Sequence, residues 1–273
     1  MACALVTVAS APSLPRPSPS VRTIPLTRVV RIPMVPLEPA GAGPAVARPA
    51  DALTFTPGAA DELPEGPNGF DVMDDGGFLI TDPLTQRIAT FDSEGKFKGD
   101  WRIGFAADSV TVTPDAVVIR DASTGQFHAF DRQGRPSNAK AVLPEHPEAT
   151  LLSPARGSIA RPATSPAISN GPLEVLVETP GLRLLSLEVL AIDRDGSTYV
   201  AVETTKGGDA TGEVNLDKVV RRYDAHGGLV AATESIPLQY YIPPVDELRV
   251  HRGTVYQLAT STREVLINVW STN

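Results

Sequence analysis

Three acids close short runs of β-forming residues: Asp82 ends LITD, Asp121 ends VIRD and Glu203 ends AVE. Carboxylates brought from several strand ends to one rim would suit Ca²⁺, a hard cation that takes many oxygen ligands. The same residues have a plainer use, because an Asp at a strand end accepts backbone hydrogen bonds and caps the loop that follows. The ring is also broken, with Pro162 and Ser261 at the equivalent places. Asp193-Arg194-Asp195-Gly196 has the opening of a calcium loop, yet no Glu stands twelve positions on and the stretch reads as a hairpin turn.

Other reactive groupings are sparse. The four histidines, His128, His146, His226 and His251, form no pair at ligand spacing. The single cysteine, Cys3, excludes an internal disulfide and any cysteine-built zinc site. There is no Gly-x-Ser-x-Gly elbow and no glycine loop opening a helix. No cofactor is expected, Ca²⁺ being the one alternative, and an enzyme is the less supported reading.

The elements that hold these acids are set by a repeat. ATFDSEG, HAFDRQG, LVETPG and RRYDAHG each place a large apolar residue, or its neighbour, before a turn that ends in glycine. The marked residues are Phe91, Phe130, Val177 and Tyr223, and Trp270 falls in the same phase, at spacings of 39, 47, 46 and 47. A period of this size signals a repeat architecture. Within a unit the pattern is strand, tight turn, strand, looser link, then the strand that ends in the marked residue, as in FDVMDDGGFLITDPLTQRIATFD. The acid accepts backbone hydrogen bonds across the turn and the glycine supplies the positive φ, so a fourth strand can fold back. KFKGDWRI, AKAVL, LRLLSL and GLVAATESI are the candidate fourth strands.

Nothing of that kind follows Trp270, so the fifth unit needs a strand from elsewhere, and ALTFTP at residues 52 to 57 is the expected donor. The fold read from this phasing is an all-β propeller of five blades closed by an N-terminal strand. A sixth blade built partly from residues 21 to 37 is the alternative. Links within the first and third hairpins of a blade are tight, whereas residues 58 to 68, 144 to 149, 161 to 171, 204 to 215 and 237 to 244 are long. Both long kinds emerge on one face, which is therefore built up, and binding surfaces favour such loops over a rigid scaffold.

Composition divides the chain near residue 50. Residues 1–50 carry ten of the 26 prolines, five arginines against one acid, and no aromatic residue. They read as an extended arm, with 51–273 as the propeller. The remainder has 19 basic against 31 acidic residues, which disfavours nucleic acid or an anionic membrane as partner and fits a neutral or basic protein. Arg22, Arg28 and Arg31 on the arm, and Tyr240 and Tyr241 in a long connection beside prolines, are the candidate partner contacts. The run MACALVTVASA at residues 1–11 looks like the end of a secretory signal and points to an extracytoplasmic location. No stretch is long and apolar enough for a membrane span.

The pattern of residues 70–136, and more loosely 187–229, resembles the NHL-type repeat, in which an apolar strand, a DG turn, a strand ending in Asp and a strand ending in phenylalanine-aspartate recur. That resemblance implies a propeller, most often a recognition platform, with lyases and lactonase-like hydrolases among its relatives. Two functions follow as expectations. One is a noncatalytic protein-binding or scaffold propeller acting as accessory subunit of a larger assembly. The alternative is a Ca²⁺-assisted lactonase-like hydrolase with Asp82, Asp121 and Glu203 at the propeller mouth.

Overall fold

The computed structural model describes residues 20–37, 49–58, 61–138, 150–151, 167–170, 173–177, 179, 181–206 and 215–271. The signal-like run, the strand AKAVL, His146 and Pro162 lie outside these. Within them the regular structure is strand throughout, apart from one 3₁₀ turn at Pro83–Thr85.

Among the described residues, five sheets follow one another along the chain. After β1 (Arg22–Ile24), β2 (Leu26–Pro36) and β3 (Leu53–Phe55), blade one is the meander β4 (Phe70–Val72), β5 (Phe78–Asp82), β6 (Arg87–Phe91) and β7 (Phe97–Arg102). Blade two is described as β8 (Ala107–Val112), β9 (Val117–Asp121) and β10 (Phe127–Phe130). The third sheet holds β11 (Thr150–Leu151), β12 (Ala167–Asn170) and β13 (Leu173–Leu176). Blade four is β14 (Arg183–Ile192), β15 (Thr198–Lys206), β16 (Asn215–Tyr223) and β17 (Leu229–Thr233). Blade five is β18 (Leu248–His251), β19 (Thr254–Thr260) and β20 (Glu264–Trp270), completed by N-terminal strands.

Radial packing makes this a propeller. The first strand of one blade lies against the first strand of the next, β4 on β8, β14 on β18 and β18 on β4, so first strands face the axis. The cores fill the seams between blades. Leu79, Ile88, Val110, Ile119 and Phe130 join blades one and two, and Val177, Val189, Val200, Val202 and Tyr223 pack ahead of and within blade four. All five phased residues are buried, Phe91, Tyr223 and Trp270 at 1%, Phe130 at 5% and Val177 at 0% exposure. Phe127, which shares their strand pattern, is 40% exposed and does not belong to the core.

The repeated turns work as their residues require. One carboxylate oxygen of Asp92 accepts from the amides of Glu94 and Lys96, that of Asp131 from Gln133 and Arg135, and that of Asp224 from His226 and Gly228. Gly134 closes its turn at φ +76, and a Cβ there would collide with the Trp101 ring of blade one. Glycine is needed for both reasons.

Closure differs from the expectation. The strand that completes blade five is β2, antiparallel to β20 with Val30 opposite Ile267 and Ile32 opposite Val265. Residues 52–57 contribute only β3, a three-residue strand parallel to β2. The reason is length and alternation: β2 spans eleven residues and buries Val30, Ile32 and Met34 between blades five and one, where they meet Phe78, Phe91, Leu258 and Ile267. β1 meanwhile adds in parallel to β17, at the edge of blade four. Residues 22–36 are thus shared between two existing sheets and form no sheet of their own, and the sheets cross the compositional boundary at residue 50. LRLLSL is likewise not a fourth strand of the third unit, because residues 183–192 make β14, the first strand of blade four.

Candidate functional site

Successive strands alternate in direction, so the tight turns share one face and the long connections the other. On the built-up face the connection before β18 is locked to blade four by a polar network. Lys218, at the start of β16, places its ammonium 2.7 Å from Glu247 and 3.3 Å from Glu203. The Tyr240 hydroxyl donates to the other oxygen of Glu247, and the Gln257 amide donates to Tyr240 at 2.9 Å and to the Pro237 carbonyl at 2.6 Å. Asn268 backs Gln257 at 2.9 Å, and both are buried. Burial works against the Lys218 charge, but Glu247 and Glu203 outweigh it and hold the ammonium above its ordinary pKa. Burial, then the bond to Glu247, hold the Tyr240 phenol far above its own. Groups that keep their protons so firmly are poor acids and poor bases at neutral pH; the network fastens a loop.

Tyr241 is also spent inward, edge-on to Phe55 at 5.9 Å and packed against the core between blades five and one. Of the arm arginines, Arg28 pairs with Glu94 at 3.2 Å and Arg31 with Glu264 at 2.7 Å, both pairs well exposed. Arg22 opens β1 on the surface.

The three strand-end acids stand in separate surroundings, and no group of three or more metal-ligating side chains gathers among the described residues. Asp82 is fully buried and does not cap its loop: it accepts from the Thr54 hydroxyl and from Arg87 Nε at 2.9 Å. Asp121 does cap, accepting from the Ser123 amide at 2.8 Å and the Ser123 and Thr124 hydroxyls at 2.7 and 2.9 Å. Those bonds hold its carboxyl down at about 2. Glu203 faces Lys218 across the β15–β16 pair.

No family model matches the chain, and no curated protein does. Solved structures similar to it include virginiamycin B lyase from Staphylococcus aureus, at 11% identity over 76% of this chain and 95% of that one, TM-score 0.34. BamB from Moraxella catarrhalis is similar at 11% identity over 76% and 83%, TM-score 0.30. BBS1N, in its complex with ARL6DN, is similar at 13% identity over 76% and 67%, TM-score 0.28. At such identities no chemistry carries over.

Two features escaped the sequence reading. Arg87 is 7% exposed and reaches four acceptors: Asp82, Asp100 at 2.9 Å, and the carbonyls of Ala50 at 3.2 Å and Ala52 at 2.6 Å. Beside the axis, Asp71 on β4 accepts from the Val112 amide of β8 at 2.6 Å and faces Arg249 on β18 at 3.7 Å. Burial pushes the Asp71 carboxyl up, and Arg249 pulls against it. A basic residue inside a β-run was the available signal for both.

Proposed function

We propose that this chain is a noncatalytic propeller that docks a neutral or basic protein surface on its built-up face, as an accessory subunit of a larger assembly. The observation that carries this reading is the placement of exposed large apolar side chains. Leu63 and Val245 are 74% and 48% exposed and lie in two connections that touch, the Val245 amide donating to the Asn68 carbonyl at 2.6 Å. Leu185 and Leu216, 43% and 48% exposed, flank the outer end of β15 on the same side of the molecule. Exposed apolar residues on loops and strand ends at one face of a rigid scaffold favour a partner interface. The acidic balance of 51–273 disfavours an acidic partner. Tyr240 and Tyr241, tied inward, support the shape of that face.

The test is size-exclusion chromatography of gentle extracts from the source, with mass spectrometry of what co-elutes, repeated with Leu63→Asp and Val245→Asp. The expected result is elution in a large particle, lost in both variants while their melting temperatures hold. Elution of the native protein alone near 28.9 kDa would overturn the docking reading. In that event calorimetric titration with Ca²⁺, on the native chain and on Asp121→Asn, addresses the hydrolase alternative.

A further inference from the structure

The exposed Leu63 sits on a loop that is tied down at its base. Thr56 and Glu65 exchange both backbone hydrogen bonds, at 2.8 and 3.1 Å, and close the loop between them. Gly58 turns with a left-handed φ of +72, where a Cβ would collide with the Glu62 carbonyl. Gly66 is buried against Ile242 and Phe55, with no room for a side chain. So fastened, the loop holds Leu63 outward at 74% exposure. On the adjoining connection Val245 follows Pro243 and Pro244, and the Asn68 carbonyl accepts from the amides of both Val245 and Asp246, at 2.6 and 3.2 Å. The two connections lead into β4 and β18, inner strands that lie against each other, so both apolar side chains are presented near the propeller axis.

The charge around them is one-sided. Residues 61–68 and 237–247 contain five acids, Asp61, Glu62, Glu65, Asp246 and Glu247, and no lysine or arginine. Arg249 matches Asp246 at 2.9 Å and Lys218 matches Glu247 at 2.7 Å. Asp61, Glu62 and Glu65 are exposed and have no ion-pair partner among the described residues. Arg263, exposed in the β19–β20 turn on the same face, offsets at most one of them. Like charges set about an exposed leucine do nothing for the fold, whereas a surface of one sign steers an oppositely charged partner.

We infer that this ledge receives a basic peptide segment of a partner protein. An apolar side chain of the segment seats on Leu63 and Val245, and flanking lysines or arginines meet Asp61, Glu62 and Glu65. The inference rests on the docking reading above and adds the charge of what docks. Apolar contact at the centre of such an interface supplies affinity, and charge pairs at its rim supply association rate and selectivity. Nucleic acid and anionic lipid are the wrong sign, since their phosphates would meet the same three carboxylates.

The experiment is an amide-resolved NMR titration of the full chain with three acetylated, amidated hexapeptides, KKLLKK, QQLLQQ and EELLEE. At about 50 mM salt KKLLKK should shift the amides of Leu63, Glu65 and Val245 and bind at least about fivefold more tightly than QQLLQQ. The gap should close at about 500 mM salt, where exposed charges are screened, and EELLEE should leave these amides unmoved. Asp61→Asn/Glu62→Gln/Glu65→Gln should also close the gap at an unchanged melting temperature, and Leu63→Ala should weaken KKLLKK and QQLLQQ by a similar factor. Equal binding of KKLLKK and QQLLQQ, no loss in Leu63→Ala, or no shift with KKLLKK into the millimolar range would overturn the inference. Chromatography of extracts separates this failure from that of the docking reading. A large particle lost in Leu63→Asp, yet intact at about 500 mM salt and in the triple charge variant, keeps docking and removes the basic partner. Elution of the native chain alone removes both.

Discussion

The Arg87 guanidinium donates to the Ala52 carbonyl at 2.6 Å while its Nε holds the buried carboxylate of Asp82. One side chain of blade one thus fixes the segment that leads into β3, and β3 in turn lies along β2. Replacing Arg87 with Met strands Asp82 as an unpaired buried charge. Urea unfolding of Arg87→Met should show a loss of about 3–5 kcal/mol. The double variant Arg87→Met/Asp82→Leu should recover part of it, because the uncompensated charge is gone.

Ile32 is fully buried in β2, on the proline-rich side of residue 50. Ile32→Ala should cost about 2–5 kcal/mol by chemical denaturation. Val21→Ala, at a residue 47% exposed, should stay within about 0.5 kcal/mol. A loss for Ile32→Ala as small as that for Val21→Ala would mean that β2 is not part of the closed ring.

Gly134 and Gly104 both adopt left-handed φ, +76 and +80, but only Gly134 has a neighbour, Trp101, in the way of a side chain. Gly104→Ala should cost about 1–2 kcal/mol for its backbone alone. Gly134→Ala should cost clearly more and should change the tryptophan fluorescence, since the Trp101 ring must move.

The hydrogen bonds from Ser123 and Thr124 keep Asp121 ionised in the fold down to about 2, below the ordinary 3.8. Its folded value being the lower one, the carboxylate favours the fold fully above the unfolded value, and that contribution disappears as pH falls toward 2. Between about pH 4 and pH 2, Asp121→Asn should therefore lose less stability than the native protein, whatever its stability at neutral pH.

Lys218 and Glu247 join blade four to the loop that enters blade five. A double-mutant cycle with Lys218→Met and Glu247→Gln should give a coupling of about 0.5–3 kcal/mol, larger than that of the exposed Arg31–Glu264 pair measured in the same way.

Architecture was legible because it rests on local chemistry. An acid, two residues and a glycine specify a turn wherever they stand, and the residue before them must be buried for the hairpins to pack, so Phe91, Phe130 and Tyr223 announced their places. What was not legible rests on distance along the chain. Both ALTFTP and the longer apolar run before it could complete blade five by pattern, and only the depth at which Ile32 and Met34 fit between blades decides. Asp82 and Asp121 look alike at two strand ends, yet Thr54 and Arg87 claim one and Ser123 and Thr124 the other.

The lacing of β2 to β20 also sets the order in which the molecule can be finished. Thr27 bonds to Val269, 242 residues later. At roughly 5–20 residues per second, translation leaves the alternating Val30, Ile32 and Met34 without their blade-five partners for on the order of 10–50 seconds after they are made. The chain must be made as far as β20 before the ring can shut, so the vulnerable period belongs to synthesis, and any helper that shields nascent apolar strands has its target in β2.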